Sequence, residues 1–157
     1  MKTLIVFTTN MGSVAKSAEI LKNKLGSADL VNLKNSSVND LNSYDSIVLG
    51  GSIYAGRTQK EIRAFAEENL DTLLKKKIGI FVNSAEKGEK GIDQIKASFP
   101  HKLVEKATAL GLFGDEIDFA KCNLFYKLML KIKGVKESYS NIDEIAIKKF
   151  ADKILKN

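Results

Sequence analysis

The chain has 157 residues, of which 44% are hydrophobic and 28% charged, and 25 Lys+Arg against 19 Asp+Glu leave a net charge of +6. These proportions exclude a disordered or fibrous chain and suit one domain with its own core. One cysteine, Cys122, and one histidine, His101, exclude an internal disulfide and a Cys/His zinc site, and no metal site is expected. No run approaches the roughly 18 to 20 apolar residues of a bilayer span, so the expectation is a cytoplasmic protein. The positive charge favours an anionic partner.

Apolar runs of strand length alternate with stretches of helical period, which predicts an α/β fold with parallel strands and helical crossovers. Residues 3–8 read as the first strand. A helix follows, with Val14, Ala18, Leu21 and Leu25 on one face and Gly26 to end it. Residues 28–33 read as a second strand, 35–43 as a loop, and 44–49 as a third strand stopped by Gly50-Gly51. One long helix from Gln59 carries Ile62, Phe65, Ala66, Leu70, Leu73 and Leu74, then reaches a lysine run at 75–77 that reads as a solvated helix end. Residues 77–82 are the fourth strand. After a polar loop at 83–91, a helix with Ile92, Ile95 and Phe99 meets Pro100, which should kink or end it. Residues 107–113 are the fifth strand, and a last helix begins near Asn141 with Glu144 completing a capping box. Five strands in this length match the smaller doubly wound sheet, order 2-1-3-4-5, in a single domain over 1–157.

Residues 115–140 are too long for an ordinary connection and read as an insertion. Within it Leu124, Phe125, Leu128, Met129 and Ile132 keep helical spacing among Lys121, Lys127, Lys131, Lys133 and Lys136. Such a face suits an interfacial helix, a cover for a flat apolar substrate, or packing on the domain or in a homodimer.

In an open parallel sheet ligands bind beyond the carboxyl ends of the strands, where the strand order reverses. That point lies between strands one and three. The first loop there, Thr8-Thr9-Asn10-Met11-Gly12-Ser13, joins hydroxyls, an amide and a glycine to a helix start, which suits a phosphate held by backbone N–H groups. Helix capping alone would use the same residues. A Walker loop fails because Asn10 and Ala15 stand where glycines are needed, and the dinucleotide fingerprint fails because only Gly12 is present. The second loop, Gly50-Gly51-Ser52-Ile53-Tyr54-Ala55-Gly56-Arg57, places an aromatic able to stack on a planar ring among three glycines, or forms an exposed turn. His101 reads as a surface residue and Cys122 as a packed thiol. Nucleic acid is not expected, since no basic face with interleaved aromatics is present.

At these loops the chain resembles a flavodoxin-fold FMN protein, over essentially its whole length. Residues 8–13 are similar to that family's phosphate loop, and 44–56 to its strand and flavin loop. More specifically, Gly50 to Arg57, Leu112-Phe113-Gly114-Asp115-Glu116-Ile117-Asp118-Phe119 and Lys127-Leu128-Met129-Leu130-Lys131-Ile132-Lys133-Gly134 resemble the menaquinone-dependent protoporphyrinogen IX dehydrogenases, which carry an inserted helical loop after the fifth strand. Tyr54-Ala55-Gly56-Arg57 differs from the Arg-Tyr-Gly-His of those enzymes.

The resemblance implies that Thr8 belongs to the cofactor site and that Thr9, Asn10, Met11, Gly12, Ser13 and Val14 hold the FMN phosphate. Ser52, Ile53, Tyr54, Ala55 and Gly56 would line the isoalloxazine, and Asn83, Ser84, Ala85 and Glu86 would meet its pyrimidine edge. It also implies an FMN-dependent oxidoreductase in which no side chain is assigned as catalytic. Its expected partners are a porphyrinogen or other flat anionic substrate, a quinone or redox protein, and the inner membrane face through 121–136. The alternatives are a flavodoxin-type electron carrier and a flavin-free interaction module.

Overall fold

The computed structural model describes residues 1–156. Five strands, β1 (Thr3–Phe7), β2 (Ala28–Asn32), β3 (Ser46–Ser52), β4 (Lys77–Asn83) and β5 (Ala109–Leu112), form one parallel sheet in the expected order 2-1-3-4-5. The central strands β1 and β3 are buried along their whole length, as covered parallel strands must be.

Alternation along β1 divides its side chains between two cores. Ile5 and Phe7 face helices α1 (Ser13–Leu25) and α7 (Glu144–Leu155), together with Phe81, Phe113 and Phe150. Leu4 and Val6 face the opposite layer, made by α2 (Lys60–Glu68), α3 (Leu70–Leu73), α4 (Gly88–Ser98) and α5 (His101–Lys106). Phe81 and Phe113 stack at 4.5 Å between centroids, and Phe150 meets Phe113 edge-on at 5.3 Å.

Several boundaries differ from the sequence expectation, each for a local reason. Strand β3 does not stop at Leu49 but stays paired with β4 through Gly50 and Gly51 to Ser52, and glycine is needed at 50 because the Phe81 ring occupies the space a side chain would take. The long helix after Gln59 is two helices. Asn69 breaks it, with its backbone at φ −108 and ψ 14; its N–H still donates to the Phe65 carbonyl at 3.1 Å, and its Nδ2 adds a second bond to the same oxygen at 2.9 Å. Pro100 ends α4 and also starts α5, a helix that periodicity does not announce. Asn141 and Glu144 form no capping box. The N-cap of α7 is Asp143, whose carboxylate accepts from the Ala146 N–H at 2.8 Å.

The insertion leaves and re-enters the fold at one crossing point. Gly114 there lies so close to the Asn141 carbonyl that a Cβ would sit 1.9 Å from it. Asn141 N–H donates to Asp115 O at 2.8 Å and Asp143 N–H to Phe113 O at 3.0 Å, so the two ends are tied together. Beyond the crossing, β6 (Glu116–Ile117) and β7 (Tyr139–Ser140) pair antiparallel, and Lys16 of α1 reaches Glu116 at 3.2 Å. The insertion then carries a 3-10 turn (Phe119–Lys121) and helix α6 (Leu124–Ile132).

The apolar stripe of α6 does not pack on the domain. Leu124 is 85% exposed, Phe125 72% and Ile132 73%, while the opposite face turns Tyr126 and Leu130 inward. Among the described residues no helix is long and apolar enough to cross a membrane.

Candidate functional site

The carboxyl ends of β1, β3 and β4 open into a cleft of about 260 Å³. Its floor is made by the first loop (Met11, Ser13), the second (Ser52, Ile53, Tyr54) and the end of β4 with its following loop (Asn83, Ser84, Ala85). Eight of the sixteen residues expected at the cofactor therefore meet in one place. Of the rest, Thr8 is buried at the end of β1, Val14 is buried in the core, and Asn10, Ala55 and Gly56 are exposed at the rims. Gly56 and Glu86 line a neighbouring open groove with Lys90 and Asp93.

The first loop is shaped by Gly12, at φ 95, whose N–H donates to Thr9 Oγ1 at 2.9 Å. This left-handed residue turns the chain directly into α1, which begins with no side-chain cap and no acidic residue in its first turn. The N–H groups of that turn are thus free of side-chain acceptors, and an anion is their natural partner. Capping by the loop's own hydroxyls, the competing expectation, is not what the structure shows. Val14 serves such a site only through its backbone, since its side chain is fully buried.

In the second loop, Tyr54 and Arg57 exchange backbone hydrogen bonds of 2.7 and 3.1 Å across Ala55 (φ 48) and Gly56 (φ 82). Positive φ at both central residues gives the tight two-residue turn that suits strand twist. Ser52 N–H is held by Gln59 Oε1 at 3.0 Å and Ile53 N–H by Asn83 O at 3.0 Å, so the loop is rigidly seated beside β4. Tyr54 is half-buried rather than a surface aromatic. Burial raises its phenol pKa, partly offset by the Asn10 and Ser52 side chains.

The third segment is equally fixed. Asn83 Nδ2 donates to Ser17 Oγ at 2.9 Å, and Ser84 Oγ donates to Gln94 Oε1 at 2.6 Å while accepting from Glu86 N–H at 3.0 Å. Thr8 Oγ1 and Asn83 Oδ1, at the carboxyl ends of β1 and β4, are buried without a hydrogen-bond partner. Orphaned acceptors at the same strand ends as an uncapped helix N-terminus fit a polar cofactor.

Residues that sequence reasoning did not place at the site come from the insertion and form its roof. Tyr126 meets Tyr54 edge-on at 6.5 Å, and Leu130, Val135, Lys133 and Tyr139 complete the wall. Burial is the main cause that raises the Tyr126 and Tyr139 phenols, and Tyr139 also hydrogen-bonds Asp115. The Tyr126/Leu130 pair, at i and i+4 opposite the larger stripe, was the available signal. Cys122 Sγ lies 3.3 Å from Met11 Sδ and is packed, as expected.

Similarity to known proteins agrees with this geometry. The chain aligns along nearly its full length with solved flavodoxins. Flavodoxin 1 from Bacillus cereus is 16% identical (TM-score 0.60, covering 99% of this chain and 97% of the other), and the two-electron reduced flavodoxin of Megasphaera elsdenii is also 16% identical (0.62, 97% and 97%). A short-chain flavodoxin associated with a non-canonical PDU bacterial microcompartment is 18% identical (0.62, 99% and 97%). At these identities the likeness establishes the fold. Comparison with curated proteins by sequence yields no match. The family model described as "Flavodoxin domain" matches residues 4–142. The chain therefore belongs to the flavodoxin domain family, and FMN is the cofactor that its cleft is built to hold.

Proposed function

We propose that this protein is an FMN-dependent oxidoreductase of the protoporphyrinogen dehydrogenase type, which passes hydrogen from a flat, apolar, anionic substrate to a quinone. The observation that carries the reading is α6, which roofs the flavin cleft with one face and presents Leu124, Phe125, Leu128 and Ile132 to solvent with the other. Exposed apolar groups in such a cluster, flanked by Lys121, Lys127, Lys131 and Lys133, suit an anionic apolar surface. A substrate with two propionates and a membrane of anionic lipid both have that chemistry.

FMN, when bound, supplies the acceptor for the electrons and protons of the substrate. The chain's own groups bind and orient. The uncapped start of α1 takes the phosphate, Tyr54 and Tyr126 remain neutral phenols that exclude water from the cleft, and Lys133 offers a cation at its wall. Oxidation of a porphyrinogen to a porphyrin removes six electrons and six protons, which three quinones accept as two electrons and two protons each.

The interfacial role of α6 is tested by sedimentation with anionic vesicles. Lys127→Glu with Lys131→Glu should abolish binding that the unaltered protein shows at low salt. Equal sedimentation of the two would remove the support for this reading.

A second reading, an electron carrier without a small-molecule substrate, is favoured by the match to the flavodoxin domain over residues 4–142 and the likeness in fold to solved flavodoxins over nearly the whole chain. Rapid electron exchange with a flavoprotein reductase, with no turnover of porphyrinogen, would select it.

A further inference from the structure

The phosphate loop carries no cation of its own. Thr8 to Val14 contain no basic residue, and Lys16, one turn into α1, is engaged by Glu116 at 3.2 Å. The insertion supplies one. Lys121 Nζ overhangs Gly12, 3.3 Å from where a Cβ would be, although the two residues belong to segments that only the fold brings together. The turn that carries it is fixed on both sides. Asp118 caps the 3-10 turn, its Oδ1 accepting from Ala120 N–H at 3.0 Å, and its other oxygen holds the Lys121 ammonium at 3.5 Å. The next residue, Cys122, anchors the turn to the loop through Met11 at 3.3 Å and to Asp118 O at 3.2 Å. Phe119 N–H donates to Ser138 Oγ at 2.9 Å, tying the turn to the returning strand of the insertion.

We infer that Lys121 is a cofactor-binding residue, a cation that the insertion lays over the phosphate loop so that the phosphate is held between the ammonium and the first turn of α1. A dianionic phosphate monoester and an ammonium attract strongly, and the uncapped helix start provides the opposing donors. Gly12 is then required for its φ, and with no side chain it lets the lysine head approach the loop closely. The insertion thereby selects flavin mononucleotide over riboflavin, which has the same ring and no phosphate. This inference rests on FMN as the cofactor.

The test is titration of apoprotein with FMN and with riboflavin, followed by flavin fluorescence, for the unaltered protein, Lys121→Gln, Lys121→Arg and the remote Lys24→Gln. Lys121→Gln should weaken FMN about tenfold, the scale of one charge-assisted hydrogen bond. Riboflavin affinity should change less than about twofold, Lys121→Arg should recover most of the loss, and Lys24→Gln should match the unaltered protein. Added salt should narrow the difference between Lys121→Gln and the unaltered protein, because it screens the pair. Loss of both flavins together would assign Lys121 a structural role and overturn the inference, as would unchanged FMN affinity. An unaltered protein that binds neither flavin would overturn the FMN assignment itself.

Discussion

Tyr54, at the entry to the turn after β3, meets Tyr126 of the inserted helix edge-on, with ring centroids 6.5 Å apart and planes inclined at 66°. One residue belongs to the sheet's own loops and the other to the insertion, so this contact joins the floor of the cleft to its roof. Opening the cleft requires breaking it.

Tyr126→Ala should therefore release FMN faster. Aromatic pairs of this kind contribute about 0.5 to 1.5 kcal/mol beyond burial, which corresponds to roughly three- to tenfold. Stopped-flow displacement of FMN measures the rate directly. An unchanged rate would mean that the roof does not retain the cofactor.

Gly50→Ala should destabilise the protein by about 1 to 3 kcal/mol, the usual cost of overpacking. A Cβ at Gly50 would sit 2.2 Å from the Phe81 ring, and that ring cannot swing aside because it stacks on Phe113. Urea unfolding should show a lower midpoint with an unchanged slope.

The two candidate caps of α7 separate cleanly. Asp143→Ala removes the acceptor of the Ala146 N–H and should cost about 1 kcal/mol. Asn141 acts through its backbone, donating to Asp115 O and crossing Gly114, so Asn141→Ala should stay within about 0.5 kcal/mol. Thermal unfolding of the two variants tests the difference.

Cys122 should react slowly with a disulfide reagent at neutral pH. Burial pushes its thiol up, and the opposing pull of Lys127 is the smaller effect. A raised pKa means less thiolate at any given pH, so labelling should accelerate only above the ordinary thiol range. Fast labelling at pH 7 in the folded protein would contradict this environment.

The sheet order was legible because apolar strand-length runs alternate with helical ones, and the position of loop 8–13 at the switch point because glycine, hydroxyls and a helix start coincide in a few adjacent residues. What escaped the sequence depends on contacts between distant segments. Gly50 and Gly51 look like strand breakers until Phe81 and Gln59 are seen to occupy the space beside them. The break at Asn69 lies in its backbone, at φ −108 and ψ 14, with its side chain and its N–H both on the Phe65 carbonyl. The stripe of α6 announced a helix, yet only the fold reveals that its larger apolar face points outward and that Tyr126 and Leu130 close the cleft. The lysines of the insertion were visible as charge, whereas the placement of Lys121 over Gly12 needed the crossing at Gly114.

The most direct measurement is anaerobic turnover. Protein loaded with FMN is mixed with protoporphyrinogen and a menaquinone analogue, and porphyrin fluorescence is followed against FMN alone. The proposed function predicts quinone-dependent porphyrin formation well above that control. FMN bound to the protein with no porphyrin formed would contradict it and leave the electron-carrier reading.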